Sequence, residues 1–320
     1  MSIKKLDLLD KKIINTLNKD VRAPVSKIAK QVGSSKEVVS YRIKRLQDEK
    51  IIKQFVTIFG LGYWANKILV QLEKITEEKE IIEYLLKQKN VNWITSCSGN
   101  WDLIFVIMAK DPVHFEIIQR KIFSDIGQYI KDYNYATSIG SRTFGPTYIL
   151  RKTREAKEAK RNKPYEIELD DKDKKILRIL QNNARMKLMD ISKKTKIPVD
   201  TVKYRIKKME HKDIIKRYRL ILDSSKLGYD RYEVFIRCKN LDNKTITKFM
   251  EYTNMNPNIE FSGRSVGNWD WEFTVNLKNN MELRNLVLAI KKEFSDNIKT
   301  LKTANLFETY NHTYFPEELA

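Results

Sequence analysis

Cysteine and histidine are scarce in this 320-residue chain, which has two cysteines and three histidines. The cysteines, Cys97 and Cys238, stand far apart, and the histidines are scattered, so no zinc-ligand spacing is present. We therefore expect no bound metal or other cofactor. We expect both cysteines to be small buried side chains in strands.

The sequence also lacks long apolar runs, and its acidic residues are fewer than its basic ones. The longest apolar run, residues 103–109, has the length of a strand and cannot cross a membrane. The N-terminal segment MSIKKLDLLDKK contains no apolar signal core. We therefore predict a cytoplasmic protein with no membrane partner. With 61 Lys and Arg against 41 Asp and Glu, the net charge of +20 favours a polyanionic partner such as nucleic acid.

Residues 25–46 are predicted to form two short amphipathic helices. The first has apolar residues at the i, i+3, i+4 and i+7 positions of one helix face: Val25, Ile28, Ala29 and Val32. Gly33 suits the left-handed residue that ends a helix, and Ser34 or Ser35 can cap the next one. The second helix has a basic outer face and an apolar stripe made of Val39, Ile43 and Leu46. Two such helices joined through a glycine are typical of a helix-turn-helix.

The chain repeats itself after a shift of 163 residues. The segment LDLLDKKII at 6–14 matches LDDKDKKIL at 169–177, and VSYRIKRL at 39–46 matches VKYRIKKM at 202–209. Further along, the turn Gly-Asn-Trp-Asp occurs at both 99–102 and 267–270. The chain is therefore predicted to contain two copies of one unit, each about 150 residues long.

The second part of each copy changes from a helical period to a period of two, which predicts strands. The order of elements is βαββαβ, so we predict an α+β fold with two winged or helix-turn-helix three-helix domains alternating with two ferredoxin-like domains. The predicted boundaries are 1–60, 61–150, a basic linker at 151–168, 169–225 and 226–320. The free face of each sheet needs cover, and we expect the two sheets to pack face to face within the chain.

The positive charge is concentrated in the helical segments. Residues 1–60 hold 14 basic and 6 acidic residues, and residues 169–222 hold 17 and 7. Residues 61–150 hold ten of each kind. This division favours two small helical domains that hold phosphates and disfavours a generally cationic or membrane-binding protein.

The LDKKI-type start, the helix-turn-helix ending in VSYRIKRLQDEKIIKQF and the Gly-Asn-Trp-Asp turn resemble the Lrp/AsnC (feast/famine) family of transcription regulators. The usual member has one such unit and dimerises, whereas this chain is similar to two units fused in tandem. The resemblance implies a sequence-specific regulator whose helix-turn-helix enters the major groove of double-stranded DNA. It also implies a dimerising ferredoxin-like domain that binds a small effector, typically an amino acid. We therefore expect an intrachain pseudo-dimer and a homo-oligomer.

The residues that the resemblance places against DNA belong to the second helix of each helix-turn-helix. In the first copy they are Ser35, Lys36, Ser40, Tyr41, Arg42, Lys44 and Arg45. In the second copy they are Asp200, Thr201, Lys203, Tyr204, Arg205, Lys207 and Lys208. Hydroxyl and basic side chains near the start of such a helix reach base edges, and later ones hold phosphates. Arg42 and Arg205 also lie beside the apolar stripe, where their stems could pack.

The Gly-Asn turns have two interpretations. A Gly-Asn pair between strands is first of all a tight hairpin turn. In the resembled family the effector lies near this hairpin, which implies effector-binding residues Gly99, Asn100, Asp102, Gly267, Asn268 and Asp270. The aspartates could then bind an amino group, whereas Trp101 and Trp269 could fill the pocket.

The second copy departs from the first in its helix-turn-helix. Lys196 stands where the first copy has Gly33, and a left-handed conformation costs such a residue about 1 kcal/mol. We therefore expect the turn of the second copy to differ from that of the first. Ser192 and Thr195 replace two apolar residues, which predicts a more polar hairpin core.

Two other functions compete with a regulator. Sirohaem decarboxylases have a similar paired architecture, but they carry histidines around the central hairpin. Here that stretch reads WITSCSGNWDLIFV and FSGRSVGNWDWEFT, with no histidine, so we do not expect an enzyme. An architectural DNA-packing protein is the other alternative, and the unlike second helices of the two copies argue against it.

Overall fold

A computed structural model describes residues 3–150 and 168–312 of the chain. The predicted linker, 151–168, lies outside these ranges except for Glu168. The described part divides into two compact units: residues 3–62 with 168–228, and residues 63–150 with 229–312. Among the described helices, none has the length and apolar character needed to cross a membrane.

The elements follow the order that the periodicity predicts. The helices are α1 (Leu8–Lys19), α2 (Val25–Val32), α3 (Lys36–Asp48), α4 (Glu78–Leu86), α5 (Pro112–Ile126), α6 (Thr147–Leu150), α7 (Asp171–Asn182), α8 (Leu188–Thr195), α9 (Val199–His211), α10 (Asn243–Met255) and α11 (Asn280–Glu293). The strands are β1 (Ile52–Phe59), β2 (Trp64–Leu72), β3 (Val91–Gly99), β4 (Leu103–Ala109), β5 (Ile130–Thr143), β6 (Ile215–Leu222), β7 (Asp230–Cys238), β8 (Ile259–Gly267), β9 (Trp271–Leu277) and β10 (Ile298–His312).

The first unit contains two three-helix heads, head one (α1–α3) and head two (α7–α9). Each begins with a capping aspartate, because the N–H of Asp10 donates to Asp7 at 2.8 Å and the N–H of Asp173 donates to Asp170 at 2.9 Å. Each helix then buries one apolar face. In α3 the buried residues are Val39, Ile43 and Leu46, which are the predicted stripe.

The two heads are joined by strand pairing that the sequence did not predict. Strand β1 leaves head one and pairs antiparallel with β6, which leaves head two. Two arginines repeat the same pair of contacts in both directions. Arg22 donates to the carbonyls of Ala184 (2.6 Å) and Met186 (3.4 Å), and Arg185 donates to the carbonyls of Val21 and Ala23, the latter at 3.1 Å. Arg22 and Arg185 are equivalent in the repeat, so the heads are joined by a matched pair of charge-assisted hydrogen bonds.

The second unit is a closed eight-stranded barrel with the order β10-β3-β4-β2-β5-β8-β9-β7. Each copy provides the predicted βαββαβ set of strands and helices. The two sheets associate within one chain, as expected. They are not simply stacked face to face, however, because they are also joined edge to edge: β5 pairs with β8, and β10 pairs with β3. The long strands β5 and β10 thereby satisfy backbone groups that two stacked open sheets would leave at their edges.

Apolar side chains pack on both faces of the barrel wall. The outer faces pack under the helices, where the Phe249 and Phe294 rings stack with centroids 4.0 Å apart. The opposite faces form one cluster drawn from both copies: Leu69, Cys97, Trp101, Ile104, Ala136, Phe235, Trp269, Ala304 and Leu306. Cys97 and Cys238 are buried in strands, as predicted, and burial raises the pKa of both thiols to about 12.

A buried ionic cluster lies beside this core. The ammonium of Lys67 is 2.6 Å from Glu233 and 2.9 Å from Glu272, and both carboxylates are buried. Thr274 donates to Glu233 at 2.9 Å, and the Trp269 indole donates to Glu272 at 3.2 Å. Burial raises the pKa of Glu233. For Lys67, burial opposes the charged form, but attraction to the two carboxylates outweighs it and the pKa is raised.

Candidate nucleic-acid interface

Helix α3 presents a polar, exposed face opposite its buried stripe. Ser35 caps the helix, because its hydroxyl accepts the Val38 N–H at 3.2 Å. Among the residues predicted to meet DNA, those that are exposed in head one are Ser35, Lys36, Ser40, Tyr41 and Lys44. Tyr41 is 66% exposed, which is unusual for so large a side chain in the absence of a partner. This face can donate and accept hydrogen bonds and carries free positive charge.

The other two predicted residues of head one, Arg42 and Arg45, are partly buried in an ion-pair network. Arg42 binds Asp7 and also lies 3.2 Å from Asp10, and Arg45 lies 2.6 Å from the other oxygen of Asp10. Asp10 is 1% exposed, so both arginines neutralise a buried carboxylate. The N–H of Asp10 and the Arg42 guanidinium lower the pKa of Asp7. The structure thus gives these arginines a role in holding α3 against α1, and contact with DNA stays a prediction for them.

Head two repeats this ion-pair network with one arginine instead of two. Arg205 lies 2.7 Å from Asp170 and 2.8 Å from Asp173. The position equivalent to Arg45 is Lys208, which is exposed. Sequence reasoning did not find the acidic side of this network. The repeat carried the signal, because both aspartates of each copy align at a shift of 163 residues.

The N-terminal end of α9, which is predicted to read bases, differs from that of α3. Its N-cap is Pro198, which makes no side-chain cap hydrogen bond, in place of Ser35. The predicted contact residues that are exposed here are Asp200, Lys203, Tyr204, Lys207 and Lys208, and Thr201 is partly buried. The structure therefore brings each predicted set together at one recognition helix, with unlike side chains at matched positions.

The expectation that the turn of head two differs from that of head one is wrong. Lys196 has φ 57° and ψ 30°, and Gly33 has φ 70° and ψ 46°, so both are left-handed. The polar replacements explain how a non-glycine residue is held there. Ser192 donates to the Ile197 carbonyl at 2.6 Å across the turn, and Thr195 donates to the Ile191 carbonyl at 2.8 Å.

The Gly-Asn hairpins lie where the two copies meet in the barrel. Gly267 has φ 148° and its backbone lies against Tyr135 and Ala136 of β5, where a side chain would not fit. Asn268 accepts the Tyr135 N–H at 3.0 Å. Gly99 is opposite Ala304 of β10 in the equivalent pairing. These residues therefore lie where the strands of the two copies pair and close the barrel. This position agrees with their interpretation as hairpin turns.

The aspartates of the same motif are also engaged within the chain. The Leu72 N–H donates to Asp102 at 2.8 Å, and the Cys238 N–H donates to Asp270 at 2.8 Å. Asn100 is exposed, and Trp101 and Trp269 are buried in the barrel cluster. Effector binding by these residues stays a prediction.

Comparison with known proteins agrees with this geometry. The AsnC-type helix-turn-helix domain matches the chain twice, at residues 6–47 and 169–210. The HTH-type transcriptional regulator FL11 of Pyrococcus furiosus is 31% identical over 109 residues, which cover 33% of this chain and 72% of that protein. The chain belongs to the Lrp/AsnC family. Another relative, the transcriptional regulator AzlB of Bacillus subtilis, is 30% identical over 123 residues, covering 38% of this chain and 78% of AzlB.

Solved structures of a siroheme decarboxylase match this Lrp/AsnC chain over nearly its whole length. The crystal structure of the siroheme decarboxylase NirDL aligns with a TM-score of 0.66 and covers 97% of this chain and 96% of NirDL. The sequence identity is 14%, so the likeness concerns the tandem fold alone.

Proposed function

We propose that this Lrp/AsnC regulator binds double-stranded DNA sequence-specifically with both heads of one polypeptide. The observation that carries the proposal is that α3 and α9 belong to one compact unit whose heads are joined by β1–β6 pairing. The exposed faces of both helices carry lysines and hydroxyl groups. Such a unit has the two recognition elements that other members obtain by dimerisation.

The contacts divide by position along each helix. The N-terminal residues Ser35, Lys36 and Ser40 of head one, and Asp200 and Lys203 of head two, are proposed to read base edges. Lys44, Lys207 and Lys208 are proposed to hold phosphates. The paired arginines Arg42, Arg45 and Arg205 are proposed to fix the helices in place.

The decisive experiment is selection of bound sequences from random duplex DNA with the full chain. Recovery of a defined motif supports a sequence-specific regulator. Binding without any motif, at an affinity independent of sequence, supports an architectural DNA-packing protein. Failure to bind duplex DNA contradicts the proposal.

A small amino acid is proposed as an effector of the barrel unit, and a homo-oligomer is proposed as the assembly of the chain. Screening the common amino acids for a change in the affinity for the selected duplex tests the effector. Sedimentation with and without the active amino acid tests the assembly. An affinity unchanged by all of them contradicts an amino-acid effector.

The full-length likeness to NirDL supports a second candidate function, siroheme decarboxylation. The central hairpins oppose it, because they contain no histidine and Arg264 is the only basic residue in either stretch. Incubation of the purified chain with siroheme, followed by mass spectrometry of the porphyrin, tests it. Loss of carboxyl groups from siroheme would favour the enzyme.

A further inference from the structure

The turn of head two contains a lysine in a conformation that favours glycine. Lys196 is left-handed, with φ 57°, at the end of α8. A side chain in this region is disfavoured by contact between its Cβ and the backbone, and glycine avoids that contact. Head one has glycine at the equivalent position, with φ 70°. The family fold thus accepts glycine here, and a retained strained residue points to a role of its side chain.

The surroundings of Lys196 give it no structural role. Its side chain is exposed, and among the residues that the structure describes it has no hydrogen-bond or ion-pair partner. The turn is held instead by the Ser192 hydroxyl, which donates to the Ile197 carbonyl. The lysine side chain is therefore free to meet something outside the unit.

The neighbouring residues make the same end of head two more basic than that of head one. Lys193 and Lys194, in the last turn of α8, are exposed and likewise have no partner among the described residues. The three lysines correspond to Lys30, Gln31 and Gly33 of head one, so head two carries two additional positive charges here. Positive charge at a helix C-terminus also stabilises the helix. The same attraction reaches Lys196, the C-cap of α8, but Lys193 and Lys194 already supply positive charge at this end, so it does not by itself account for a non-glycine residue in the left-handed turn.

Position in the helix-turn-helix identifies the ligand chemistry. In this motif the first helix crosses the DNA backbone while the N-terminus of the second enters the major groove. Lys196 stands two residues before Pro198, the N-cap of α9, and therefore lies between these two elements. A flexible lysine at the mouth of the groove is suited to a phosphate group, which it contacts as a point charge.

We infer that the two heads contribute differently to DNA binding. In head two, Lys193, Lys194 and Lys196 form a phosphate clamp, a set of side chains that bind DNA phosphates, and head one lacks it. This inference rests on the proposed DNA-binding function and deepens it. Head two then supplies the larger share of the salt-dependent affinity.

The variant K196G separates strain from phosphate contact. Glycine removes the disfavoured conformation, so the urea midpoint of unfolding should rise. Loss of one phosphate contact should make the slope of log K against log salt shallower by about 0.9 and weaken binding about fivefold to tenfold at 0.1 M salt. The sequence preferred in selection should not change.

Two matched variants complete the test. Lys50 is also an exposed lysine with a left-handed backbone, φ 56°, but it follows the C-terminal end of α3. K50G should raise the urea midpoint in the same way without changing the salt slope. G33K transplants the clamp residue into head one, where an added Cβ meets nothing within 4 Å. It should lower the midpoint and steepen the slope by about 0.9.

The outcomes distinguish this inference from the proposed function. If the wild-type chain shows no salt-dependent binding to duplex DNA, the proposed function itself fails. If the wild type binds DNA and K196G leaves the salt slope unchanged, only the phosphate clamp is overturned. A lower urea midpoint for K196G, or an altered base preference, would likewise overturn it, because the side chain would then act in folding or in base reading.

Discussion

At the scale of single residues, Lys67 shows how the tandem repeat differs from a pair of identical units. Lys67 and Glu233 stand at equivalent positions of the two copies, five residues after Gly62 and Gly228. Two identical copies would bury like charges here, whereas the tandem chain buries an ion pair at 2.6 Å. The two halves have therefore become complementary to each other.

Replacing Lys67 by Met should destabilise the barrel by about 3–5 kcal/mol at pH 8, because two buried carboxylates lose their counter-charge. Burial already raises the pKa of Glu233 from its ordinary value of 4.5. The folded protein thus binds this proton more tightly than the unfolded chain, and stability falls as the pH rises through the raised pKa. The loss in K67M should therefore be smaller at pH 5 than at pH 8.

Urea unfolding at both pH values measures this effect. The control is the triple variant K67M/E233Q/E272Q, which removes all three charges and should lose the pH dependence. Equal losses for K67M at pH 5 and pH 8 would contradict the assignment.

Gly267 is a residue of the barrel where a side chain would not fit. An added Cβ would lie 2.7 Å from the Ala136 Cα and nearer still to the Tyr135 carbonyl. We expect G267A to cost about 2–4 kcal/mol of stability. Gly62 is the matched control, because its φ is 78° but no atom lies within 4 Å of an added Cβ, so G62A should cost only about 1 kcal/mol. Equal losses in thermal unfolding would show that close packing at Gly267 is unimportant.

At the scale of elements, the recognition helix α3 has neighbouring basic residues with different roles. Lys44 is exposed, whereas Arg42 is held by Asp7 and Asp10. K44A should flatten the salt slope of DNA binding by about one unit and leave stability unchanged. R42A should instead lower the free energy of unfolding by about 1–3 kcal/mol, because the buried Asp10 loses one of its partners.

Parallel salt titrations and urea unfolding of the two variants test this division. A lower stability for K44A, or a stability of R42A equal to that of the wild type, would contradict it.

The joint between the heads is a second feature of this scale. Arg22 and Arg185 each donate to carbonyl groups of the opposite head. R22A and R185A should each cost about 1.5–3 kcal/mol, since each removes charge-assisted hydrogen bonds. The exposed Lys19, at the end of α1, provides a control variant, K19A, that should cost little. Urea unfolding measures all three, and an R22A protein as stable as K19A would contradict the role of the joint.

At the scale of the whole molecule, unlike heads in one polypeptide should prefer an asymmetric operator. In the alignment of the two copies, Ser35, Lys36 and Ser40 of head one correspond to Pro198, Val199 and Lys203 of head two. Each mismatched base pair costs about 1–3 kcal/mol, so unlike half-sites about one helical turn apart, roughly 10 base pairs, should bind best.

Footprinting on three duplexes tests the operator: the selected site and two palindromes, each built from one of its half-sites. A single chain should bind each palindrome more weakly than it binds the selected site. Equal affinity for all three would show that the differences between α3 and α9 do not read bases. If two chains bind together, symmetry should return over a longer footprint.

What the sequence determined by itself was local. The i, i+3, i+4 stripes predicted α2 and α3, because helix formation depends on residues within one or two turns. The period of two predicted the strands, because alternation of the two faces is also a pattern among near neighbours in the chain. The shift of 163 residues identified the two copies. The fold class followed from these patterns, and the Lrp/AsnC family was indicated by the resemblance of the LDKKI-type start, the helix-turn-helix segment and the Gly-Asn-Trp-Asp turn.

Only the tertiary structure decided which distant groups meet. The pairing of β1 with β6, the closure of the barrel through β5–β8 and β3–β10, and the ion pairs of Arg42, Arg45 and Arg205 all join residues far apart in the chain. A periodic pattern shows which face of a strand is buried but does not show which edge it pairs with. The prediction for Lys196 was wrong for a different reason. The lysine's own preference opposes a left-handed turn, but a local hydrogen bond from the Ser192 hydroxyl to the Ile197 carbonyl spans that turn.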